Sequence, residues 1–558
     1  MMSRRALLAL CLVTALFARQ PVRSRSAMVV TQEPLATDVG LSVLKAGGNA
    51  IDAAVAVGFA LAVTHPYAGN IGGGGFLLAR FADGTTTFID FRERAPRSAT
   101  RDMYLDASGK LTGASLQGWR ASGVPGSVRG FEFAHQKYGK KRWSEVLQPA
   151  VSLAADGFPV SYSFTQSIKT GSTLLEQFPE SKRIFLKGGD LYPVGETFRQ
   201  AELAGTLKRI QKYGAADFYE GETAKRLAAA MQANGGTITL QDLKSYRPVV
   251  RTPLTGRYRD FEFITAPPPS SGGIGILQML GMLDGSGYEK TGAGSAASIH
   301  YVAEVMRRFY ADRSEYFGDP DFFKVPVKKL LDPRYISSRR DTIDRQHATS
   351  SEQLHPGDLA AHESTETTHY NIVDAEGNAV AVTYTLNGGF GSGVTVPGLG
   401  FLLNNEMDDF AAKPGEPNLF GLIQGEANAI QPGKRPLSSM TPTIVVRDGK
   451  LFMALGAPGG SRIINGVLQV FLNVADFHMN VQDAVDWPRF HHQWKPDKLY
   501  LEKGISPDTI ALLKGMGHDV ESSEATAVVI ARVEAILLSD GWLQGAADGR
   551  AGSKAAGY

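Results

Sequence analysis

The segment from Glu366 to Phe410, ETTHYNIVDAEGNAVAVTYTLNGGFGSGVTVPGLGFLLNNEMDDF, decides how this 558-residue chain is read. Its first half has the pattern of a β-hairpin. His369 to Val373 is strand-like, Asp374 to Asn378 is rich in turn formers and includes Gly377, and Val380, Val382 and Tyr384 alternate with smaller residues. Thr367 and Thr368 therefore stand at the mouth of a predicted strand. A threonine hydroxyl is a weak nucleophile at neutral pH unless a base adjoins it. Cutting the peptide bond just before the threonine supplies one, because the freed α-amine has a pKa of about 8 and can accept the hydroxyl proton. Cleavage between Glu366 and Thr367 would create such a residue. Taken alone, a Thr-Thr pair more often simply starts a strand, since threonine is a good β-former.

The pair does not stand alone. Downstream come, in order, Thr385-Leu386-Asn387, then LLNNEMDDF from Leu402 to Phe410, KRPLSSMTP from Lys434 to Pro442, and GAPGGSR from Gly456 to Arg462. Upstream, Gly47 to Ala56 reads GGNAIDAAVA, Gly72 to Phe76 reads GGGGF, and Asp90 to Pro96 reads DFRERAP. In this order, and over nearly the whole chain after its leader, these motifs closely resemble the γ-glutamyltranspeptidase (γ-glutamyltransferase, glutathione hydrolase) family. The resemblance implies an α+β fold, the αββα four-layer sandwich of N-terminal-nucleophile hydrolases. It also implies a zymogen that cuts itself into a large subunit, 19–366, and a small subunit, 367–558, which stay together as a heterodimer.

Site residues follow by the same resemblance. Thr367 is the autoprocessing residue and the catalytic nucleophile, with Glu366 on the other side of the cut, and Thr385 supports it by hydrogen bonding. Gly459 and Gly460 supply the oxyanion donors, a role that suits glycine because its backbone N–H can approach a substrate oxygen closely. Arg92, Ser438 and Ser439 take the donor's α-carboxylate; arginine's planar fork meets a carboxylate bidentately. Asn387, Glu406 and Asp409 take its α-ammonium, and the opposite charges are expected at opposite ends of the pocket. Many bacterial members have Gln where Glu406 stands. Phe420, in a lid loop from Pro414 to Gly425, stands where several members have tyrosine. The implied substrates are glutathione and other γ-glutamyl compounds, with water, amino acids or peptides as acceptors. No cofactor is expected. Adjacent His491 and His492 invite a metal reading, but neighbours on a strand point to opposite faces and nothing is spaced to close a site, so no metal is expected.

Further from the hairpin, Asp332 to Glu366 is polar with little apolar periodicity and reads as a mobile linker ending at Thr367. Ser298 to Tyr316 reads as an amphipathic helix with Ile299, Val302, Val305, Met306 and Phe309 on its core face. Pro267 to Gly273 (PPPSSGG) looks like a rigid turn leading into a helix. Helical patterns run over Glu145 to Ala155, Ala201 to Tyr213 and Glu222 to Ala233, and Leu44 to Phe59 reads as a helix interrupted at Gly47-Gly48. The glycines at 72–75 lack the Lys-Ser/Thr of a phosphate loop and read as close backbone packing. Residues 1–18 form an expected signal peptide, Arg4-Arg5 preceding an apolar run from Ala6 to Ala18 too short to span a bilayer, which points to a periplasmic or secreted protein without a stable membrane span. Cys11 is the only cysteine, so no disulfide or cysteine-ligated metal is available to the mature chain. A net charge of +2 offers no basic field for nucleic acid.

Two other functions compete. A glutaryl-cephalosporin acylase would share the fold and the processing, but the charged pocket of Arg92, Glu406 and Asp409 favours an α-amino acid head over a plain glutaryl group. An inactive periplasmic binding homologue would keep the pocket and lose the chemistry; the presence of Thr367, Thr385, Gly459 and Gly460 speaks against it.

Overall fold

The computed structural model describes residues 19–357, 367–413, 425–522 and 528–558. The expected leader, Glu366 and Phe420 lie outside them. The hairpin is present. Strands Thr368–Val373 and Ala379–Thr385 pair antiparallel, from Thr368 opposite Tyr384 to Val373 opposite Ala379. Asp374 builds the turn: its Oδ1 accepts from the N–H groups of Glu376 and Asn378, each at 3.0 Å, and Gly377 takes a left-handed φ of 88° that glycine adopts without strain. The other carboxylate oxygen of Asp374 accepts from Ala50 N–H at 2.9 Å, fastening the turn to the first turn of helix Ala50–Thr64.

That hairpin lies at the centre of a seven-stranded sheet. Its order is Lys554–Gly557, Met28–Thr31, Thr368–Val373, Ala379–Thr385, Gly74–Arg80, Thr86–Asp90, Val249–Arg251. A second seven-stranded sheet runs Val22–Ser24, Trp542–Ala546, Glu534–Ser539, Lys450–Gly456, Thr443–Arg447, Phe261–Thr265, Leu254–Tyr258. All neighbours in both sheets are antiparallel. Each sheet draws strands from both sides of residue 366.

The hairpin is buried on both faces, which explains its nearly continuous apolar run. Ile372, Val380 and Val382 share one hydrophobic cluster with Val55, Phe59 and Phe131 of the helices outside the first sheet, whereas Val373, Ala379 and Ala381 share another with Met453, Leu455 and Ile536 of the second sheet. Tyr370 and Tyr384 donate their hydroxyls to the carbonyls of Ala54 and Gly58, at 2.8 and 2.9 Å, locking the even-numbered face onto helix Ala50–Thr64. Odd-numbered side chains, Thr367, His369, Asn371, Thr383 and Thr385 among them, consequently face the second sheet. Helices Gly272–Leu283 and Arg462–Ala475 cover that sheet's far side, Phe471 meeting Phe263 with ring centroids 4.7 Å apart. The layers are helix, sheet, sheet, helix, as expected.

The glycine run packs closely as expected: a Cβ on Gly72 or Gly73 would collide with the carbonyl oxygens of Leu402 and Thr385. The helices read at 145–155, 201–213 and 222–233 appear as Trp143–Asp156, Ala201–Tyr213 and Glu222–Ala233. Three expectations need correction. The single interrupted helix at 44–59 is two helices, Pro34–Lys45 and Ala50–Thr64, because Gly47 turns left-handed and Asn49 with Asp52 forms a capping box that starts the second afresh.

The amphipathic helix is Ala296–Tyr316, but it has no solvent face: Glu304, Arg307, Arg308, Asp312 and Arg313 are all buried. Nor is 332–366 a loose linker as far as it is described. Pro333–Arg340 is a helix, Arg339 pairs with Asp312 at 2.8 Å, and Thr349 and Ser351 bond to Glu304 and Arg307. The segment is polar because it neutralises a buried polar helix face, so missing apolar periodicity did not mean mobility. Among the described residues no helix is long and apolar enough to cross a membrane.

Glu304 holds Arg307 at 2.9 Å and Arg308 at 2.7 Å. Truncating it to alanine leaves buried Arg308 without a carboxylate and Arg307 with Asp497 alone, a change that costs about 3–5 kcal/mol. Denaturant unfolding of Glu304→Ala is expected to show a loss of that size, and a loss below about 1 kcal/mol would refute the network's role.

Candidate active site

Thr367 immediately precedes its strand and is 6% exposed. Continuing the hairpin register by one pair sets it opposite Thr385, on the face toward the second sheet. Thr385 is itself held from two sides. Its hydroxyl accepts from Asn387 N–H at 2.7 Å, and its carbonyl accepts from Asn70 Nδ2 at 2.8 Å. Asn70 Oδ1 in turn accepts from Gly73 N–H at 2.9 Å and from the Ser127 hydroxyl at 2.7 Å. Asn70 thus joins the glycine run to the strand end. Nothing but its place ahead of GGGG marks it in the sequence.

Below the threonines on the same face lies His369, its Nδ1 at 2.8 Å from Thr383 Oγ1 and its Nε2 at 3.0 Å from Asn371 Oδ1. Burial pulls its pKa down to about 3, so the ring is neutral at physiological pH. Gly456 faces it from the second sheet, where a side chain would strike the imidazole.

Gly459 and Gly460 follow the strand that contains Gly456 and precede helix Arg462–Ala475, with φ of 130° and 68°. Among the described residues neither glycine's N–H donates a hydrogen bond. They stand at the positive end of a 14-residue helix, an arrangement that suits a developing oxyanion.

The charged residues are where one expectation fails. The sequence reading expects Arg92 at the opposite end of the pocket from Glu406 and Asp409, but the structure bonds it directly to both, Nη1 to Glu406 Oε1 and Nη2 to Asp409 Oδ2. It also donates to Leu437 O at 2.9 Å and Pro436 O at 3.3 Å, and lies 3.5 Å from Glu93. The physical reason is burial. All four side chains are at most 4% exposed, and none could be left in a low dielectric without its countercharge. Burial raises the pKa of Glu93, Glu406 and Asp409; Arg92 opposes the rise in each.

Each acid engages the guanidinium through one oxygen. The second oxygens, Glu406 Oε2 and Asp409 Oδ1, are buried and have no hydrogen-bond partner among the described residues. The same holds for Asn387 Oδ1. Asn387 takes a left-handed φ of 72° and donates through Nδ2 to Asn405 O, at 3.0 Å, next to Glu406. With Glu93 Oε1, four buried acceptors here lack a donor, and an ammonium group, with three N–H bonds, can satisfy three of them. Ser438 and Ser439 follow Leu437, whose carbonyl Arg92 holds, and are 2% exposed each. Asn428, which the sequence reading passed over, ties the parts together by donating to Asp409 O at 2.6 Å and accepting from Leu437 N–H at 3.1 Å.

His491 and His492 are used separately. His491 meets Asn465 and Gln493, at 2.8 and 2.9 Å, while His492 meets Asp497 at 3.2 Å and accepts from Trp494 N–H at 3.0 Å. A different trio, His300, Glu304 and His518, has the composition of a metal site. Its atoms are already engaged: His300 Nδ1 is 2.8 Å from His518 Nε2, and Glu304 spends both oxygens on Arg307, Arg308 and Thr349.

A family model described as Gamma-glutamyltranspeptidase matches residues 36–558. The glutathione hydrolase proenzyme of Escherichia coli (strain K12) is 52% identical over 533 residues, spanning 95% of this chain and 91% of its own. That of Pseudomonas sp. (strain A14) is 49% identical over 522 residues, 92% of this chain and 91% of its own. Among solved structures, the cephalosporin acylase from Bacillus halodurans superposes with a TM-score of 0.86 at 28% identity, covering 97% of both chains.

Because Glu93, Glu406 and Asp409 bind protons more readily folded than unfolded, their contribution to stability falls as pH rises above the ordinary carboxylate value of about 4.5. Glu406→Gln removes one charge and keeps an acceptor for Arg92. Its stability loss between about pH 5 and about pH 8 is expected to be smaller than that of the wild type. Parallel denaturation profiles for the two proteins would contradict this.

Proposed function

The chain belongs to the γ-glutamyltranspeptidase family, and we propose that it is a self-processing enzyme that cleaves glutathione and other γ-glutamyl amides, with Thr367 as nucleophile. In the uncut chain Thr367 Oγ attacks the Glu366 carbonyl carbon. The Glu366–Thr367 C–N bond breaks as the ester C–O bond forms, and the proton lost from Thr367 Oγ passes to the Thr367 nitrogen, which becomes a free amine. Water then hydrolyses the ester, leaving subunits 19–366 and 367–558 as a heterodimer.

The same oxygen next attacks the γ-carbonyl of a donor, its proton passing to the new α-amine. The tetrahedral oxyanion accepts from the N–H groups of Gly459 and Gly460; one such donor is worth about 3–4 kcal/mol. Collapse expels the donor's amine and leaves a γ-glutamyl-Thr367 ester. Water resolves it in hydrolysis and an amino acid or peptide amine in transpeptidation, so two-substrate kinetics are ping-pong. Thr385, opposite Thr367, steadies the nucleophile's hydroxyl or amine.

The observation that carries this reading is the group of buried acceptors without donors, Asn387 Oδ1, Glu406 Oε2 and Asp409 Oδ1, the last two on acids paired with Arg92. They receive the donor's α-ammonium, while Arg92, Ser438 and Ser439 receive its α-carboxylate. Arg92 already gives its N–H groups to Glu93, Glu406, Asp409, Pro436 O and Leu437 O, so it takes the carboxylate by exchanging one of these partners, and the two poles of the substrate are read by one network rather than by separate ends. A cephalosporin acylase is the second reading, supported by the Bacillus halodurans superposition. A glutaryl group, which lacks the ammonium, would leave those acceptors unsatisfied at a cost of about 1–3 kcal/mol each. The apolar run after Arg5 supports export to the periplasm or medium.

Intact mass of the purified protein with N-terminal sequencing of its fragments tests the scheme. Two fragments are expected, the smaller beginning at Thr367, and Thr367→Ala is expected to remain one uncut chain without γ-glutamyl-anilide hydrolysis. A cut, active Thr367→Ala protein would refute the assignment.

A further inference from the structure

The PPPSS turn at 267–271 and the buried polar helix Ala296–Tyr316 have no part in the scheme above, yet they meet behind Ser438-Ser439. Ser438 N–H donates to Pro269 O at 2.8 Å, and Ser438 O accepts from Ser271 N–H at 2.8 Å and from the Ser270 hydroxyl at 3.1 Å. The turn grips the serine pair as a short strand would, through backbone bonds on both sides. Arg313, from the helix, spans the two pieces. Its Nε donates to Ser271 Oγ at 3.0 Å and its Nη2 to Ser439 Oγ at 2.7 Å, with the guanidinium 5.5 Å from the centre of the Tyr310 ring.

Arginine only donates, so Ser439 Oγ acts toward it as an acceptor, and the serine's own O–H points away from the guanidinium. A hydroxyl that accepts from a cation is a stronger donor toward an anion, because the two hydrogen bonds polarise one another. Arg313 is 1% exposed, so its charge acts in a low dielectric. Arg92 is already shared between two carboxylates; Arg313 adds positive potential on the Ser439 side of the pocket.

We propose that Arg313 is a positioning residue for the donor's α-carboxylate, acting through the Ser439 hydroxyl, and that it sets the preference for donors whose α-carboxylate is free. This rests on the reading of Ser438-Ser439 as the carboxylate subsite. It adds a contribution from the part of the chain before residue 366 to a subsite otherwise read from the part after it and from Arg92.

The test compares two donors, γ-glutamyl-p-nitroanilide and its α-carboxamide, on the processed wild type, Arg313→Met and Arg313→Lys. For the free-carboxylate donor, Arg313→Met is expected to raise KM roughly tenfold with kcat little changed, and for the carboxamide to change neither. Arg313→Lys keeps the charge and loses the fork, so its KM for the carboxylate donor is expected to rise only about threefold. Should Arg313→Met not fold, the lysine variant carries the comparison by the same donor-selective criterion. Equal losses on both donors would reduce Arg313 to a structural part and overturn the proposal, as would no loss on either. A processed wild type that turns over neither donor would overturn the γ-glutamyl reading itself, and this inference with it.

Discussion

The register of the central hairpin governs the molecule. Side chains alternate along a strand, so a one-residue slip would exchange every inward and outward group. Here the even face is bolted to helix Ala50–Thr64 by two tyrosine hydroxyls, and the turn is bolted to the same helix by Asp374. With those three contacts made, Thr367 has to face the second sheet, Thr385 has to stand opposite it, and His369 has to lie beneath. The strand that follows Gly449 in the second sheet then brings Gly456 against His369 and delivers Gly459 and Gly460 to the same end of the sandwich. The chemistry of the proposed site is in this sense a corollary of strand pairing.

Around that frame the charges are arranged as one object. Arg92 binds Glu406 and Asp409 together, and Asn428 holds the backbone on both sides of them. Buried ion pairs seldom stabilise a fold, since desolvation offsets most of the attraction. Acceptors left without donors cost more still. Such an arrangement makes sense as a site whose deficits are met by a ligand carrying an ammonium and a carboxylate on one carbon.

Much of the site was legible because it lies in short, composition-rich motifs. TTHY, LLNNEMDDF, KRPLSSM and APGG each concentrate several groups that structure then gathers. The hairpin, the close-packed glycines at 72–75 and the helices at 201–213 and 222–233 could be read from local patterning. What could not be read was pairing between distant polar groups. Sequence offers Arg92 and Glu406 as opposite charges, and only the fold says that they touch. The polar stretch after Asp332 looked loose because its partners, Glu304, Arg307 and Asp312, sit on a helix whose apolar face drew the eye. Asn70 and Arg313 make a few hydrogen bonds each to residues distant in sequence, which leave no periodic trace.

The interleaving of strands has a thermodynamic consequence. Strand Thr368–Val373 lies between Met28–Thr31 and Ala379–Thr385, and that hairpin is flanked by chain from before residue 366 on both sides. After the proposed cut the protein becomes formally a complex of two molecules, whose integrity should respond to dilution by mass action. Yet the small fragment supplies the middle of both sheets, so the two cannot part without dismantling them. Separation and global unfolding are then one event, and dilution gains a hold only on chains that have already lost their fold.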